Sequence, residues 1–196
     1  MALTFKGGIH VSEHKNTRGC AVEAMPAPEI ISIPMSQHIG AHAEPCVNAG
    51  DSVDRGQVIG VVEGKLGCPV HSSVSGKVVS IDEKKASNGV MIRSVVIEND
   101  GENRIHPDIK PWGKKLEDTT AEEIVEIVRN AGISGMGGAT FPTYAKIQSA
   151  LGKAEYIIVN CAECEPFITA NHRLMLEKPE TVIGGLKILM KAFYLN

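Results

Sequence analysis

Gly135, Gly137 and Gly138, followed by Lys146, are the residues of this chain whose types and spacing most directly imply chemistry. Glycine lacks a Cβ, so a backbone this rich in it takes positive φ and leaves its N–H groups uncovered. Uncovered amides at the entrance to a helix seat an anion, most often a phosphate. Lys146, about one helical turn past Pro142, is spaced to bring an ammonium over the same place. Further on, Asn160-Cys-Ala-Glu-Cys-Glu-Pro166 adds a carboxamide and the carboxylates of Glu163 and Glu165.

Neither of the two common phosphate motifs is met. The dinucleotide pattern G-x-G-x-x-G requires a strand before it and a third glycine, whereas Gly135-Met-Gly-Gly-Ala-Thr140 ends in threonine after a helix-like segment. The P-loop pattern starts well at Gly132 but has Gly138 where its lysine belongs. On the residues alone, these glycines equally serve to cap one helix and turn the chain into the next. Cys161 and Cys164 satisfy C-x-x-C, yet no second such pair accompanies them, and a packing role is favoured over zinc. His10, His14, His38, His42, His71 and His106 are irregularly spaced and read as loop residues.

The elements that would position these residues are legible around them. Between Thr119 and Gly132, a threonine N-cap with glutamate three residues on predicts a capping box. Ile124, Val125, Ile127, Val128 and Ala131 form an apolar helical face, and Gly132 is placed as the stop. A second helix enters at Pro142 and runs to about Leu151. Glu155-Tyr-Ile-Ile-Val-Asn160 reads as a buried parallel strand, with the polar corner at 160–166 just beyond its carboxyl end. Helices are expected at Thr169 to Glu177 and at Thr181 to Phe193.

The first half has a different pattern. Residues 1–29 form an irregular arm punctuated by Gly7, Gly8, Pro26 and Pro28, and Ile30 to Met35 reads as an edge strand interrupted by Pro34. From Pro45, short β-branched segments alternate with glycine turns as far as Glu98, and a β domain is assigned to residues 30–105. Residues 106–118 are a proline-broken linker in which Trp112 is expected to pack against one domain, and 119–196 open an α/β domain.

Composition narrows the function classes. The net charge of −3 and the lack of a basic block exclude an electrostatic nucleic-acid binder, and 4% aromatic content offers no stacking platform. Five scattered cysteines show no secreted disulfide pattern. No apolar run approaches the roughly 18 residues of a membrane span and no signal core opens the chain, so a cytoplasmic setting is expected.

The paired motifs Gly-x-Gly-Gly-Ala-x-Phe-Pro-Thr-x-x-Lys and Asn-x-x-Glu-x-Glu-Pro resemble the flavin-binding core shared by two families. One is the flavin subunit of respiratory NADH:quinone oxidoreductase; the other is the RnfC subunit of the Rnf-type ion-translocating complex. Phe5-Lys-Gly-Gly-Ile-His10, Ser36-Gln-His-Ile-Gly40 and Pro69-Val-His-Ser-Ser-Val-Ser-Gly76 resemble the Rnf protein in particular. Gly50-Asp-Ser-Val-Asp-Arg-Gly-Gln57 and the glycine-punctuated strands after it resemble the sandwich of biotinyl and lipoyl carriers. Lys65, four residues before Pro69, lacks a carrier lysine's sequence context and is expected to be unmodified.

The resemblance implies a mixed α+β fold: a barrel-sandwich β domain, then an incomplete α/β flavin-nucleotide domain. It implies FMN and NAD(H) as cofactors of the intact protein. Gly135, Gly137 and Gly138 would lie at the flavin or its phosphate, supported by Lys146, and Asn160 would hydrogen-bond FMN. Glu163 and Glu165 would border the nicotinamide, and Phe141 would stack near the adenine. Met136, Thr140 and Ala162 depart from the respiratory family, which has arginine, glycine and aspartate there. The resembled Rnf protein extends into a region holding two four-iron four-sulfur clusters, so this chain is expected to be its opening part. Implied partners are integral membrane subunits and ferredoxin or a ferredoxin-like protein, at the cytoplasmic face of the membrane. The alternative is a carrier, docking or assembly module built on the sandwich.

Overall fold

The computed structural model describes residues 11–86, 89–136 and 139–195. The Phe5-to-His10 motif, Gly137 and Gly138 lie outside them. The chain divides into a larger unit, Pro26–Glu155 with Leu189–Asn196, and a smaller one, Met1–Met25 with Tyr156–Ile188.

In the larger unit the β-branched segments form strands β1 (Ile30–Pro34), β2 (Glu44–Pro45), β3 (Ser52–Val53), β4 (Val58–Val61), β5 (Val70–His71), β6 (Gly76–Lys85) and β7 (Met91–Asn99). They make two antiparallel sheets, ordered β1-β7-β6-β3 and β2-β4-β5. β1 is an edge strand, as expected, paired Ile31 to Ile97 and Ile33 to Val95, with Pro34 at its end where a missing N–H is tolerated. The two sheets enclose an apolar core in which Ile33, Val53, Ile59, Val70, Val78 and Ile97 meet. Burying each such side chain contributes on the order of 1.5–3 kcal/mol. On β7, Ser94 to Ile97 are all buried, so this interior strand is covered on both faces. A register shift between Val78 and Ser80 leaves Val79 exposed on β6.

The chain leaves the sandwich through Ile105 and His106, both tied to Arg55, and reaches α1 (Ala121–Asn130). The capping box forms at Thr120: its hydroxyl accepts the Glu123 amide at 3.2 Å, and Glu123 accepts the Thr120 amide at 3.0 Å. Lys114 pairs with the same carboxylate and holds it below the usual glutamate range. Trp112 departs from expectation: it is 50% exposed instead of packed into a domain. Its indole N–H donates to Thr119 Oγ1 at 3.3 Å and the Lys114 ammonium covers the ring, so polar neighbours replace the expected apolar contact. α2 (Thr143–Ala150) follows, and Ile124 of α1 and Ile147 of α2 pack with Ala192 and Phe193 near the end of the chain.

The smaller unit holds α3 (Ala170–Glu177), and α4 (Pro179–Ala192) follows it with proline in its first turn, two residues ahead of the expected start. The expected strand at 155–160 is not formed, and Tyr156 and Ile158 are 84% and 89% exposed. A strand exists only through its ladder, and no described residue pairs with this segment. Apolar composition alone does not create one. Among the described residues no helix is long and apolar enough to cross a membrane.

Candidate functional site

The glycine loop is shaped by the end of α1. Gly132 takes φ of 68°, and the following amide, Ile133 N–H, returns to the Val128 carbonyl at 3.2 Å, closing the helix as its sequence predicts. The chain then folds back on itself. Ser134 and Pro142 form an antiparallel bridge, Gly135 N–H donates to the Phe141 carbonyl at 3.0 Å, and Thr143 N–H donates to Ile133. The Gly135 amide is therefore committed to closing the loop. What the residue offers outward is its missing side chain: a Cβ there would stand 3.7 Å from Lys146 Nζ. Lys146 is exposed, and its ammonium has no ion pair or hydrogen bond among the described residues. Phe141 is half-buried beside it, and Met136 is 97% exposed. Thr140, where the respiratory family has glycine, takes a left-handed φ of 47°, the conformation that glycine adopts without strain.

This loop is seated on the sandwich through residues that the sequence marks only as loop histidines. Cys68 N–H donates to His38 Nε2 at 2.9 Å, so His38 carries its proton on Nδ1 and donates to the Ile39 carbonyl at 3.1 Å. Ile39 N–H in turn donates to the Thr140 carbonyl at 3.2 Å. The His71 ring hydrogen-bonds the Asn130 backbone at the carboxyl end of α1, yet burial outweighs that bond and holds its pKa below the ordinary 6.5. A histidine that resists protonation in the folded state contributes stability that is complete above about pH 6.5 and fades as pH falls below it. The midpoint of urea unfolding should therefore drop between pH 6.5 and 5 in the wild type, and drop less in His71→Gln.

The second group of candidate residues lies in the smaller unit. Asn160 is exposed, and its side-chain oxygen accepts the Ala162 amide at 3.0 Å, an Asx turn that leaves its NH₂ outward. Glu163 Oε1 accepts the amides of Asn171 at 2.7 Å and His172 at 3.2 Å, so the carboxylate caps the amino end of α3. Glu165 is exposed at its side chain, while its carbonyl accepts Lys15 Nζ at 2.8 Å. Lys15, Glu13, Thr17 and Arg173 support this corner, and nothing in the sequence singles them out. Their contacts span some 150 residues, and no local pattern encodes such a distance.

An open cleft of about 1280 Å³ lies at one end of the sandwich, bordered by Gln37, His38, His71, Lys84, Lys85 and Thr140 among others. Among the described residues it meets the glycine loop only at Thr140, and no described candidate residue lines it.

The fold is a barrel-sandwich domain followed by a helical region, and comparison with known proteins gives each a counterpart. Residues 3–102 match the family described as RnfC barrel sandwich hybrid domain, and residues 128–196 match the Nuo51 FMN-binding domain. The chain is 47% identical over 191 residues to the C subunit of the Na(+)-translocating ferredoxin:NAD(+) oxidoreductase complex of Acetobacterium woodii, covering 96% of this chain and 43% of that protein. It is 38% identical to the C subunit of the ion-translocating oxidoreductase complex of Rhodobacter capsulatus, covering 97% of this chain and 37% of the relative. The C subunit of the proton-translocating ferredoxin:NAD(+) oxidoreductase complex of Clostridium ljungdahlii is also 38% identical, with 97% and 42% covered. The chain belongs to the RnfC family, the C subunits of Rnf-type complexes. It spans less than half the length of these curated relatives.

Proposed function

We propose that this chain belongs to the electron-input subunit of a membrane-bound ferredoxin:NAD oxidoreductase. NAD(H) and FMN are its nucleotides, and electrons pass between them and iron–sulfur clusters elsewhere in the complex. The observation that carries this reading is the loop closed by the Ser134–Pro142 bridge, with Gly135 beneath the Lys146 ammonium, unpaired among the described residues, at the mouth of α2. A backbone without a side chain, facing a cation that no described residue compensates, leaves room for a phosphate-bearing group. FMN, when bound, supplies the hydride and single-electron chemistry. Lys146 would neutralise phosphate charge, Gly135, Gly137 and Gly138 would admit it closely, and Phe141 would offer a ring face to the adenine. Among the described residues, Asn160 keeps an outward NH₂ free to donate, and Glu165 a free carboxylate for the nicotinamide side. Glu163 would act by ordering α3 as much as by touching a nucleotide, because its carboxylate already holds two amides. Integral membrane subunits would hold the protein at the cytoplasmic face, with ferredoxin or a ferredoxin-like protein exchanging electrons there.

The test is a titration of the full-length gene product with FMN, followed by NADH. Quenching of flavin fluorescence on binding and bleaching of the flavin absorbance by NADH are expected. Absence of both removes the reading.

One observation favours a carrier role strongly enough to be tested beside it. Lys65 is exposed on the loop joining the paired strands β4 and β5. The expected intact mass is nevertheless that of the unmodified polypeptide. A lipoyl or biotinyl increment on Lys65 would reassign the sandwich as a swinging carrier.

A further inference from the structure

We propose that Lys15 is a positioning residue of the acidic corner, holding the Glu163–Ile168 segment in the one conformation that receives the nucleotide. The proposal rests on the nucleotide reading above. Residues 161–169 contain no helix or strand, so nothing in their own backbone pattern fixes their shape. Phe167 nevertheless takes a left-handed φ of 69°, a conformation that an aromatic residue keeps only when its surroundings impose it. The surroundings that impose it come from the arm. Lys15 Nζ donates to the carbonyls of Glu165 and Ile168, each at 2.8 Å, and so bridges the turn at both ends. Between those anchor points, Phe167 N–H donates to the Glu13 carbonyl at 2.8 Å and its ring stacks on His14 at 5.0 Å.

Further along, Thr17 and Thr169 hydroxyls share a hydrogen bond at 2.8 Å, and Arg173 donates to the Arg18 carbonyl at 3.0 Å. Glu177 accepts the Val22 amide at 3.0 Å, closing the strap at the far end of α3. The arm thus runs the length of the corner and its helix, and Lys15 is its charged contact at the carboxylate-bearing turn. An ammonium satisfying two carbonyls is the strongest restraint on that turn, because charge-assisted bonds exceed neutral ones. It leaves the Glu165 carboxylate without a partner among the described residues, which a residue pairing with the side chain would not. Lys15 acts on the backbone and touches no substrate.

The test uses Lys15→Met and Lys15→Arg in the full-length gene product, with Lys15→Gln as a milder variant that keeps one donor group. In Lys15→Met, amides of residues 163–165, 167 and 168 should exchange with solvent roughly tenfold faster, equivalent to about 1.4 kcal/mol of lost local protection. KM for NADH should rise about tenfold with kcat within roughly twofold and flavin content unchanged, the signature of lost ground-state placement. Lys15→Arg, which also donates to two carbonyls, should restore both, and Lys15→Gln should fall between. Wild-type exchange and KM in Lys15→Met overturn the proposal. Faster exchange with an unchanged KM overturns it as well, leaving Lys15 a purely structural contact. A wild-type protein that binds neither FMN nor NADH fails at an earlier step, and that control separates loss of the nucleotide reading from loss of the role given to Lys15.

Discussion

Gly132→Ala should destabilise the larger unit by about 2–4 kcal/mol, through two costs that add at one atom. The backbone there sits at φ of 68°, a left-handed conformation that an L side chain adopts with strain. The new Cβ would also stand 2.6 Å from the Pro69 carbonyl oxygen and 3.1 Å from the His71 ring, inside van der Waals contact. Both neighbours are held, Pro69 just ahead of β5 and His71 by its bond to Asn130, so neither can yield cheaply. The expected relief is for the end of α1 to lift from the sandwich, carrying the glycine loop with it. Chemical denaturation reads the loss directly. A variant within about 0.5 kcal/mol of wild type, the range of an ordinary surface change, would mean that the loop is not seated there.

Lys146→Ala should weaken FMN binding by roughly 10–100-fold, equivalent to about 1.4–2.8 kcal/mol, while leaving stability nearly untouched. The separation follows from position: the side chain is exposed and bonds to nothing among the described residues, so the fold does not depend on it. A phosphate above Gly135 would depend on it heavily, since the ammonium lies 3.7 Å from where that residue's Cβ would be. Lys146→Arg should keep most of the affinity. Flavin fluorescence titration at fixed ionic strength measures both variants, and the wild-type affinity should fall as salt is raised. Equal affinity in wild type and Lys146→Ala would place the phosphate elsewhere.

These two residues mark different levels of legibility. Lys146 and its neighbours can be read directly, because a glycine-rich turn beside a helix start is a local pattern with a local physical meaning. The use of Gly132 as a helix stop is equally plain, but the further demand on it is not. Its closeness to Pro69 and His71 depends on where the sandwich lies, some 60 residues earlier in the chain. The same holds for His38 and His71, which read as incidental loop residues in the sequence and are instead the polar contacts that seat the loop. The segment 155–160 fails in the opposite direction. Its apolar run meets the composition of a strand, but pairing is a property of two segments, and no described partner lies beside it.

Taken alone, the amino-acid order determined the alternating β segments and their edge strand, the capped α1 with its glycine stop, and the motifs by which the family is recognised. Each of these is set by interactions between residues close in sequence: alternation, capping and positive-φ turns. Tertiary structure alone decided that the Gly135 amide closes its own loop, that Glu163 caps α3, and that Lys15 reaches across 150 residues to hold the acidic turn. Hydrogen bonds of that kind are chosen only when distant backbone groups meet, and the pattern of neighbours along the chain carries no record of them.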